Sequence, residues 1–383
     1  MSESKGGFWR EEAGLWAGAT TTAVFYVFGK SWLSDFSNGW VAGALFLWLF
    51  IAIMWLAFGV VRHAECLAIR LGEPYGTLIL TVSVIAIETA MIASVMLTGE
   101  NNPTLARDTM FSIIMIVLNG MLGVTLLVGG MRHHEQSYNL TGVFSYLGVL
   151  TPLAVLALVV PRYTLSTADG SVSPLLGVYL ILMSGGLYAA FLLLQMQRHR
   201  GFFVQPAVTG RREAGGEVTE DGATELHGDR GLVVRGTGYH SLLLVLSMLP
   251  IVLLSKNVAK LVDYGISNLG APQALGGFLV AILVLSPEGM SAIRAARANQ
   301  LQRTVNIALG STTSTIGMTL PVVLTISFVT GRHLELGLQP LEIVLLALTL
   351  LTCVISFGTG RTNVQQGIVH LVLFATYVVL IFD

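Results

Sequence analysis

The sequence predicts an all-α polytopic membrane protein with about eleven transmembrane helices. Hydrophobic residues make up 54% of the 383-residue chain and charged residues only 11%, whereas soluble globular domains carry about 25% charged residues. The apolar residues fall into runs of about 20, the length that an α-helix needs to cross a bilayer. These runs lack the alternation of a transmembrane barrel, so helices are left as the structure that satisfies the backbone hydrogen bonds in lipid.

Eleven apolar runs qualify as spans. They cover residues 13–30, 40–61, 75–98, 109–130, 141–160, 175–196, 240–255, 272–293, 303–329, 338–357 and 363–382. Between the spans, 15 of the 21 Lys and Arg residues fall on the side of the N-terminus. Since positive charge collects on the cytoplasmic side, this bias predicts a cytoplasmic N-terminus and, after an odd number of spans, a C-terminus on the opposite, periplasmic side.

One polar segment, residues 197–239, interrupts the apolar runs. It contains GRREAGGEVTEDGATELHGDRG, a composition typical of a disordered cytoplasmic linker. Five spans precede it in one half and five follow it in the other. Because five is odd, the halves have opposite topology, as in transporters built from inverted repeats. The predicted units are an N-terminal segment with the first helix, a first five-helix repeat, the linker and a second repeat, at residues 1–36, 37–196, 197–239 and 240–383.

A single carboxylate lies near the middle of the third span and another near the middle of the eighth. These are Glu88 and Glu288, and each follows a glycine, Gly76 or Gly276, at the same spacing. A charge at the centre of a bilayer costs about 2.5–3.5 kcal/mol on insertion scales, so such residues mark ion or proton sites. The matched spacing favours an ion or proton site; the alternative is two protonated acids that hydrogen-bond neighbouring helices.

Polar residues near the two acids are candidate supporting ligands. Ser112 lies as far after Glu88 as Thr312 lies after Glu288, and Thr312 belongs to the run GSTTSTIGMT. Hydroxyl and amide oxygens suit Ca²⁺, Na⁺ or K⁺, although small polar residues also allow membrane helices to pack closely. The full set of candidate ligands is Ser112, Asn119, Ser286, Ser311, Thr312 and Ser314. Pro287 adds a further oxygen, since it leaves the carbonyl of Leu283 without its helical donor.

Several other classes of function are disfavoured. A net charge of −1 provides no basic surface for nucleic acid. Neither H-E-x-x-H nor G-x-S-x-G occurs, so we expect no enzyme activity, and no cofactor is expected. Cys66 and Cys353 are predicted to be small buried hydrophobes. His370, well inside the last span, is predicted to be a packing residue rather than a proton relay.

Three segments resemble a known family. The segments VRHAECLAIRLGEPYG before Glu88, VLSPEGMSAIRAARANQLQRTVNIALGS around Glu288 and the closing FGTGRTNVQQGIVHLVLFATYVVLIF are similar to bacterial calcium/proton antiporters of the ChaA kind, members of the calcium/cation antiporter superfamily. The resemblance implies two inverted five-helix repeats, an extra N-terminal helix, and exchange of Ca²⁺, or in some members Na⁺ or K⁺, for protons across the bacterial inner membrane. Glu88 and Glu288 match the acids of that family.

The sequence departs from the family at two neutral ligands. The superfamily's vacuolar and Gram-positive proton exchangers carry a Gly-Asn pair shortly before each acid. Here the pairs are Val84-Ile85 and Val284-Leu285. The loss of these ligands leaves room for a broader preference for monovalent cations. We expect an antiporter that exchanges cytoplasmic Ca²⁺, with Na⁺ or K⁺ as further candidate substrates, for external protons at Glu88 and Glu288. The alternatives are a monovalent Na⁺(K⁺)/proton antiporter and, less favoured, a cation channel; the predicted partners are inorganic cations, protons and membrane lipid.

Overall fold

The computed structural model describes residues 11–34, 38–72, 75–98, 102–167, 169–206 and 233–383. Within them the chain forms eleven helices, as the sequence predicts. In chain order these are α1 (Ala13–Trp32), α2 (Gly39–Leu71), α3 (Tyr75–Thr98), α4 (Leu105–His133), α5 (Leu140–Leu158), α6 (Pro174–Leu193), α7 (Thr237–Leu269), α8 (Ala274–Arg297), α9 (Leu301–Thr330), α10 (Pro340–Ser356) and α11 (Val364–Phe382). The protein is therefore an all-α polytopic membrane protein. Most of the predicted disordered linker, residues 207–232, lies outside the described residues.

Short elements complete the described chain. Two helices contain an internal π segment, Ile116–Met121 in α4 and Thr315–Thr319 in α9. The remaining short elements are the 3₁₀ turns Val160–Tyr163 and Arg200–Phe203, the π turn Leu194–Arg198 after α6, and the strands β1 (Gln136–Ser137) and β2 (Arg361–Thr362). The two strands pair antiparallel, with Gln136 opposite Thr362, and so join the segment after α4 to the segment before α11.

Two helices extend well beyond their predicted spans. The seventh run was expected to end at residue 255, but α7 continues to Leu269; the second was expected to end at residue 61, but α2 continues to Leu71. The reason is that charged residues such as Lys256 and Arg62 end an apolar run without breaking a helix, since Lys and Arg are good helix formers. Each of these helices has 33 residues, about 50 Å at 1.5 Å per residue, so its ends project beyond a hydrocarbon core of about 30 Å.

The starts of several helices are fixed by capping residues. Ser173 caps α6, where its side chain accepts a hydrogen bond from the backbone N–H of Leu176, and Pro174 follows at the first helical position. Asn363 and Gln366 form a reciprocal capping box at the start of α11. Such caps satisfy backbone N–H groups that have no partner within the helix, and proline is preorganised for that position. Local sequence therefore determines where these helices begin.

The two halves of the chain interlock through their central helices. α2 packs along α7, and each acidic helix packs against the helix with the π segment in the other half: α3 against the segment in α9, and α8 against α4. Gly277 of α8 allows one close approach, because a Cβ there would lie 2.6 Å from the backbone carbon of Asp108. The most apolar stretch of α4 is 78% buried, whereas that of α6 is 28% buried. Hence α4 lies in the centre of the bundle and α6 at its periphery.

Candidate functional site

Glu88 lies in the middle of α3 and is enclosed by hydroxyl groups from the opposite half of the chain. Its side chain is 1% exposed. The hydroxyl of Thr315 donates to Oε2 at 2.7 Å, and the hydroxyl of Thr319 donates to Oε1 at 3.0 Å. The Thr319 hydroxyl also lies 3.3 Å from that of Thr89, the residue after the glutamate. Both carboxylate oxygens of Glu88 therefore have a donor, and both donors come from α9.

A π segment places these two threonines. Thr315 and Thr319 begin and end the π segment of α9. The π segment of α4 has nearly the same place in the first half. Counted from Glu88, it starts one residue later than the π segment of α9 starts when counted from Glu288. Single π turns inside α-helices frequently occur at functional sites, because the extra residue per turn re-aims side chains.

Glu288 lies at the corresponding place in α8 but has a different environment. Its Oε2 atom is buried and has no hydrogen-bond partner among the described residues. Ser311 of α9 is the hydroxyl that interacts with this carboxylate. A buried polar atom left without a partner costs about 1–3 kcal/mol, and more when the group is charged. A proton would remove the charge, and a bound cation would also give the oxygen a partner, so the free oxygen of Glu288 is a candidate position for either.

The charge of Glu288 acts on Glu88, although the two carboxylates come from different halves of the chain. α8 remains helical through Pro287, which has no N–H to donate, so the Leu283 carbonyl lacks its helical donor. Among the described residues, no group of three or more His, Cys, Asp or Glu side chains is arranged to hold a metal. A cation here would therefore be held by two carboxylates and by neutral oxygens.

Ser311 interacts with Glu288, but the two candidate ligands in α4 have other partners. Ser112 donates to the carbonyl of Asp108 at 2.6 Å, and its oxygen lies 2.6 Å from the hydroxyl of Tyr377 in α11. Asn119, in the π segment of α4, donates to the hydroxyl of Thr349 in α10 at 2.8 Å. Both side chains are fully buried. They connect α4 to the last two helices, and neither is hydrogen-bonded to a glutamate.

The other candidate hydroxyls bond to carbonyls of their own helices. Ser286 donates to Ile282 at 2.5 Å, Thr312 to Ala308 at 2.9 Å, and Ser314 to Ser311 at 2.9 Å. Ser and Thr in apolar helices commonly bond in this way, because their hydroxyls otherwise lack a partner. Such a hydroxyl still has oxygen lone pairs to offer a cation, but in this structure it does not contact either acid.

His370 takes part in the same buried network as Asn119. Its Nδ1 atom lies 3.2 Å from Asn119 Oδ1, and its Nε2 atom lies 3.1 Å from the hydroxyl of Ser356. The Oδ1 atom can only accept, so Nδ1 carries the proton and Nε2 accepts from Ser356. A neutral ring therefore satisfies every partner, and the ring is 0% exposed. This arrangement fits the packing role expected for His370.

Thr315 and Thr319 were missed by the sequence analysis. Both lie in the run STTSTIGMT, in which Ser311 and Thr312 were selected by their distance from Glu288 and Ser314 by the family resemblance. The available signal was the spacing of four between the two threonines, which places them on one side of a helix. The π segment that directs them towards α3 has no recognisable sequence signature.

Comparison with known proteins gives one family match and several similar relatives. The family model for the sodium/calcium exchanger protein matches residues 41–197 and 239–382. The chain is 42% identical over 339 residues to the sodium-potassium/proton antiporter ChaA of Escherichia coli K12, covering 88% of this chain and 89% of the relative. It is 25% identical to the Ca²⁺/H⁺ antiporter ChaA of Bacillus subtilis, covering 89% and 92%.

Two solved structures share the fold. The structure of native YfkE superposes with a TM-score of 0.71 at 19% identity and covers 96% of this chain and 99% of that one. The crystal structure of the H⁺/Ca²⁺ exchanger CAX superposes with a TM-score of 0.66 at 14% identity and covers 97% and 88%. At these identities the likeness establishes the architecture and nothing about the ions.

Proposed function

We propose that cation and proton compete for Glu88 and Glu288 in this chain. The chain belongs to the sodium/calcium exchanger protein family and is a cation/proton antiporter. The observation that carries this proposal is the buried Oε2 atom of Glu288, which has no partner in the described structure, beside a second carboxylate. Two like charges in a water-poor site repel each other strongly. The site is therefore neutralised either by protons or by a cation, and exchange follows from that alternation.

The transported cation is Na⁺ or K⁺. Ca²⁺ takes six to eight oxygen ligands, and the positions that carry the asparagine carboxamides in related exchangers here hold Ile85 and Leu285, both buried and apolar. Both carboxylate oxygens of Glu88 already accept a hydrogen bond, from Thr315 and Thr319. Few strong oxygen ligands are therefore left in the site. The 42% identical relative is named a sodium-potassium/proton antiporter, which supports the same choice.

Ca²⁺ is the second candidate, and the paired carboxylates favour it. Two ionised glutamates carry a charge of −2, which one Ca²⁺ or two protons would balance without a change in net charge. The Bacillus subtilis relative is named a Ca²⁺/H⁺ antiporter. Exchange of one Ca²⁺ for two protons would then be electroneutral.

Alternating access would arise from the two halves of the chain. The repeats extend over residues 37–196 and 240–383, after an N-terminal segment of residues 1–36 and on either side of the linker 197–239. The crossed packing of α3 on α9 and α8 on α4 supports two inverted repeats that meet at a central site. The Lys and Arg bias supports a bacterial inner membrane location with the N-terminus cytoplasmic, so cytoplasmic cations leave as external protons enter.

Transport in proteoliposomes tests this function. Purified protein is reconstituted with a pH-sensitive dye inside, and Na⁺, K⁺ or Ca²⁺ is added outside in turn. We expect saturable proton movement out of the vesicles with Na⁺ or K⁺, and a smaller or absent response to Ca²⁺. Cation current without proton movement would identify a channel, and a response to Ca²⁺ alone would favour the second candidate.

A further inference from the structure

A buried polar cluster joins three helices at the end of the bundle that holds the start of α1. Glu12 lies just before α1, His63 lies near the end of α2, and His240 lies in the first turn of α7. These three side chains are 3%, 1% and 3% exposed. The mechanism proposed above does not use them. Because α2 and α7 are the first helices of the two halves, the cluster connects both halves to the N-terminal helix.

The hydrogen bonds in this cluster run in one direction. The backbone N–H of Arg235 donates to Nε2 of His240 at 2.9 Å, so a neutral His240 carries its proton on Nδ1. That Nδ1 lies 3.0 Å from Nδ1 of His63, which must then accept. His63 consequently carries its proton on Nε2, 3.1 Å from Oε2 of Glu12. Nη2 of Arg62 lies 3.3 Å from the same Nε2 and donates to the same Glu12 oxygen. We call this chain, from the Arg235 N–H through His240 and His63 to Glu12, the histidine latch.

The latch is complete only when both rings are neutral. A proton added to His240 at Nε2 would face the Arg235 N–H, and a proton added to His63 at Nδ1 would face the Nδ1–H of His240. Either change sets a donor against a donor, and the hydrogen bond between those two groups is lost. Buried groups left without a partner in this way are costly. Uptake of a single proton therefore breaks the latch at one of its two internal links.

Charged neighbours surround the rings on all three helices. Arg62 bonds Glu12 at 2.5 Å, and the hydroxyl of Tyr239 donates to the other oxygen of Glu12 at 2.8 Å. Arg235 pairs with Glu11 at 2.9 Å. The charged and titratable groups that act on the two rings, other than the rings themselves, are Glu12, Arg62, Arg70 and Arg235. The three arginines oppose an additional positive charge on either ring, and Glu12 alone favours one.

We propose that the histidine latch is a proton-sensitive contact that holds α1, α2 and α7 together when both rings are neutral and releases them when either ring is protonated. Burial lowers the pKa of both rings in the closed latch, whereas a histidine released from it titrates near its ordinary value of about 6.5. Protons therefore bind the open form preferentially, and the latch weakens as the pH falls below about 6.5. The physiological meaning rests on the proposed function: in an antiporter oriented as above, the latch lies on the side where transported protons arrive. It would then couple the proton concentration there to the packing of the two halves.

Hydrogen exchange measured on the purified full-length protein tests the latch without any transport. The Arg235 amide is the direct reporter, because its N–H is the one that His240 accepts. After correction for intrinsic exchange rates, we expect its protection to fall by at least about tenfold between pH 8 and pH 5.5, since a proton bound by the open form alone weakens the closed form about tenfold per pH unit below the pKa of the ring. Equal protection at both pH values would overturn the proposal.

Variants separate proton sensing from simple packing. The double variant His63→Gln/His240→Gln has no ring to protonate, so the protection that it retains should change less than about twofold over the same range. His133→Gln is the matched control, because His133 lies at an exposed contact with the carbonyl of Arg297 and outside the latch. This control should respond to pH as the wild type does. Unchanged pH dependence in the double variant would contradict the proposal.

A third variant remains informative if the double variant folds poorly. Glu12→Gln can still accept from His63 Nε2–H, but it removes the negative charge that favours protonation. The midpoint of the pH response should therefore move to lower pH. If Glu12 served only as a structural salt bridge, its loss would weaken the protection of the Arg235 amide equally at every pH. Repeating the titration in Glu88→Gln keeps the two proposals apart, because loss of transport there should leave the pH response of Arg235 intact.

Discussion

Glu88 and Glu288 occupy matching places in the two halves, yet their surroundings differ. Glu88 receives two threonine hydroxyls, one on each oxygen, whereas Glu288 interacts with Ser311 and keeps one buried oxygen without a partner among the described residues. Hydrogen bonds from neutral donors stabilise an ionised carboxylate. The two acids therefore differ in their partners: both oxygens of Glu88 are hydrogen-bonded, whereas Glu288 has one oxygen open to a proton or a cation.

The two acids have different surroundings because the helices that face them, α9 for Glu88 and α4 for Glu288, carry different side chains. When positions are counted from the two glutamates, Thr315 and Thr319 of the second half correspond to Met115 and Asn119 of the first. A thioether is a weak acceptor and no donor, and Asn119 bonds Thr349 instead. An internal repeat can thus preserve the position of an acid without preserving its ligands. We expect the two acids to have different tolerance to changes around them.

Removing either carboxylate should have the largest effect. Glu88→Gln and Glu288→Gln should each abolish cation-dependent proton flux in proteoliposomes while leaving a folded protein, because an amide mimics the protonated acid but cannot release a proton. Normal elution on size-exclusion chromatography is the control for folding. Substantial proton-coupled flux in either variant would remove that glutamate from the mechanism and end the comparison between the two.

Removing the hydroxyls at Glu88 should have the next largest effect. Thr315→Val and Thr319→Val keep the side-chain shape but leave a buried oxygen of Glu88 unsatisfied, at a cost of about 1–3 kcal/mol, or roughly tenfold to a hundredfold in apparent cation affinity. Thr312→Val is the matched control, because this hydroxyl bonds only the carbonyl of Ala308 in the described structure. If Thr312→Val weakened exchange as much as the other two, general damage to α9 would explain the result.

Removing the hydroxyl at Glu288 should have a smaller effect. Ser311→Ala should weaken apparent cation affinity about tenfold or less, because a single net hydrogen bond contributes about 0.5–1.5 kcal/mol and Glu288 already lacks one partner. Ser286→Ala, whose hydroxyl bonds the carbonyl of Ile282, should leave exchange nearly unchanged. A larger loss at Ser311 than at Thr315 would reverse the assigned difference between the two acids.

The smallest effect is expected at His370. His370→Gln and His370→Asn should leave the pH profile of exchange nearly in place, since the neutral ring already satisfies Asn119 and Ser356 and neither bonds an acid. Rates are to be measured across the pH range with a fixed cation gradient. A midpoint displaced by about one pH unit, or proton flux uncoupled from cation flux, would require a third titrating group.

The fold was more predictable from the sequence than the site. All eleven helices follow from apolar run length, because lipid imposes helical structure on any such run. Glu88 and Glu288 were identifiable because an acid in that setting is costly unless it is used. Thr315 and Thr319 were not, since a hydroxyl in a helix has the same sequence appearance whether it bonds its own backbone, as Thr312 does, or a carboxylate.

The histidine latch was also beyond the reach of sequence reasoning. In the sequence, Arg62 and His63 directly follow the apolar run of α2. The partners of His63 are Glu12 and His240, which lie in other helical segments far away along the chain. Contacts of this kind depend on tertiary packing, and a single sequence provides no signal for them.

The most direct test of the central claim is proton release from purified protein in weakly buffered detergent solution when a cation is added. If cation and proton compete at the two glutamates, wild-type protein should release protons in proportion to the amount of protein, with saturation as Na⁺ or K⁺ increases. Glu288→Gln should release none of the protons that Glu288 gives up in the wild type, so its signal should fall sharply. Undiminished release from Glu288→Gln, in protein that still binds the cation, would contradict the account.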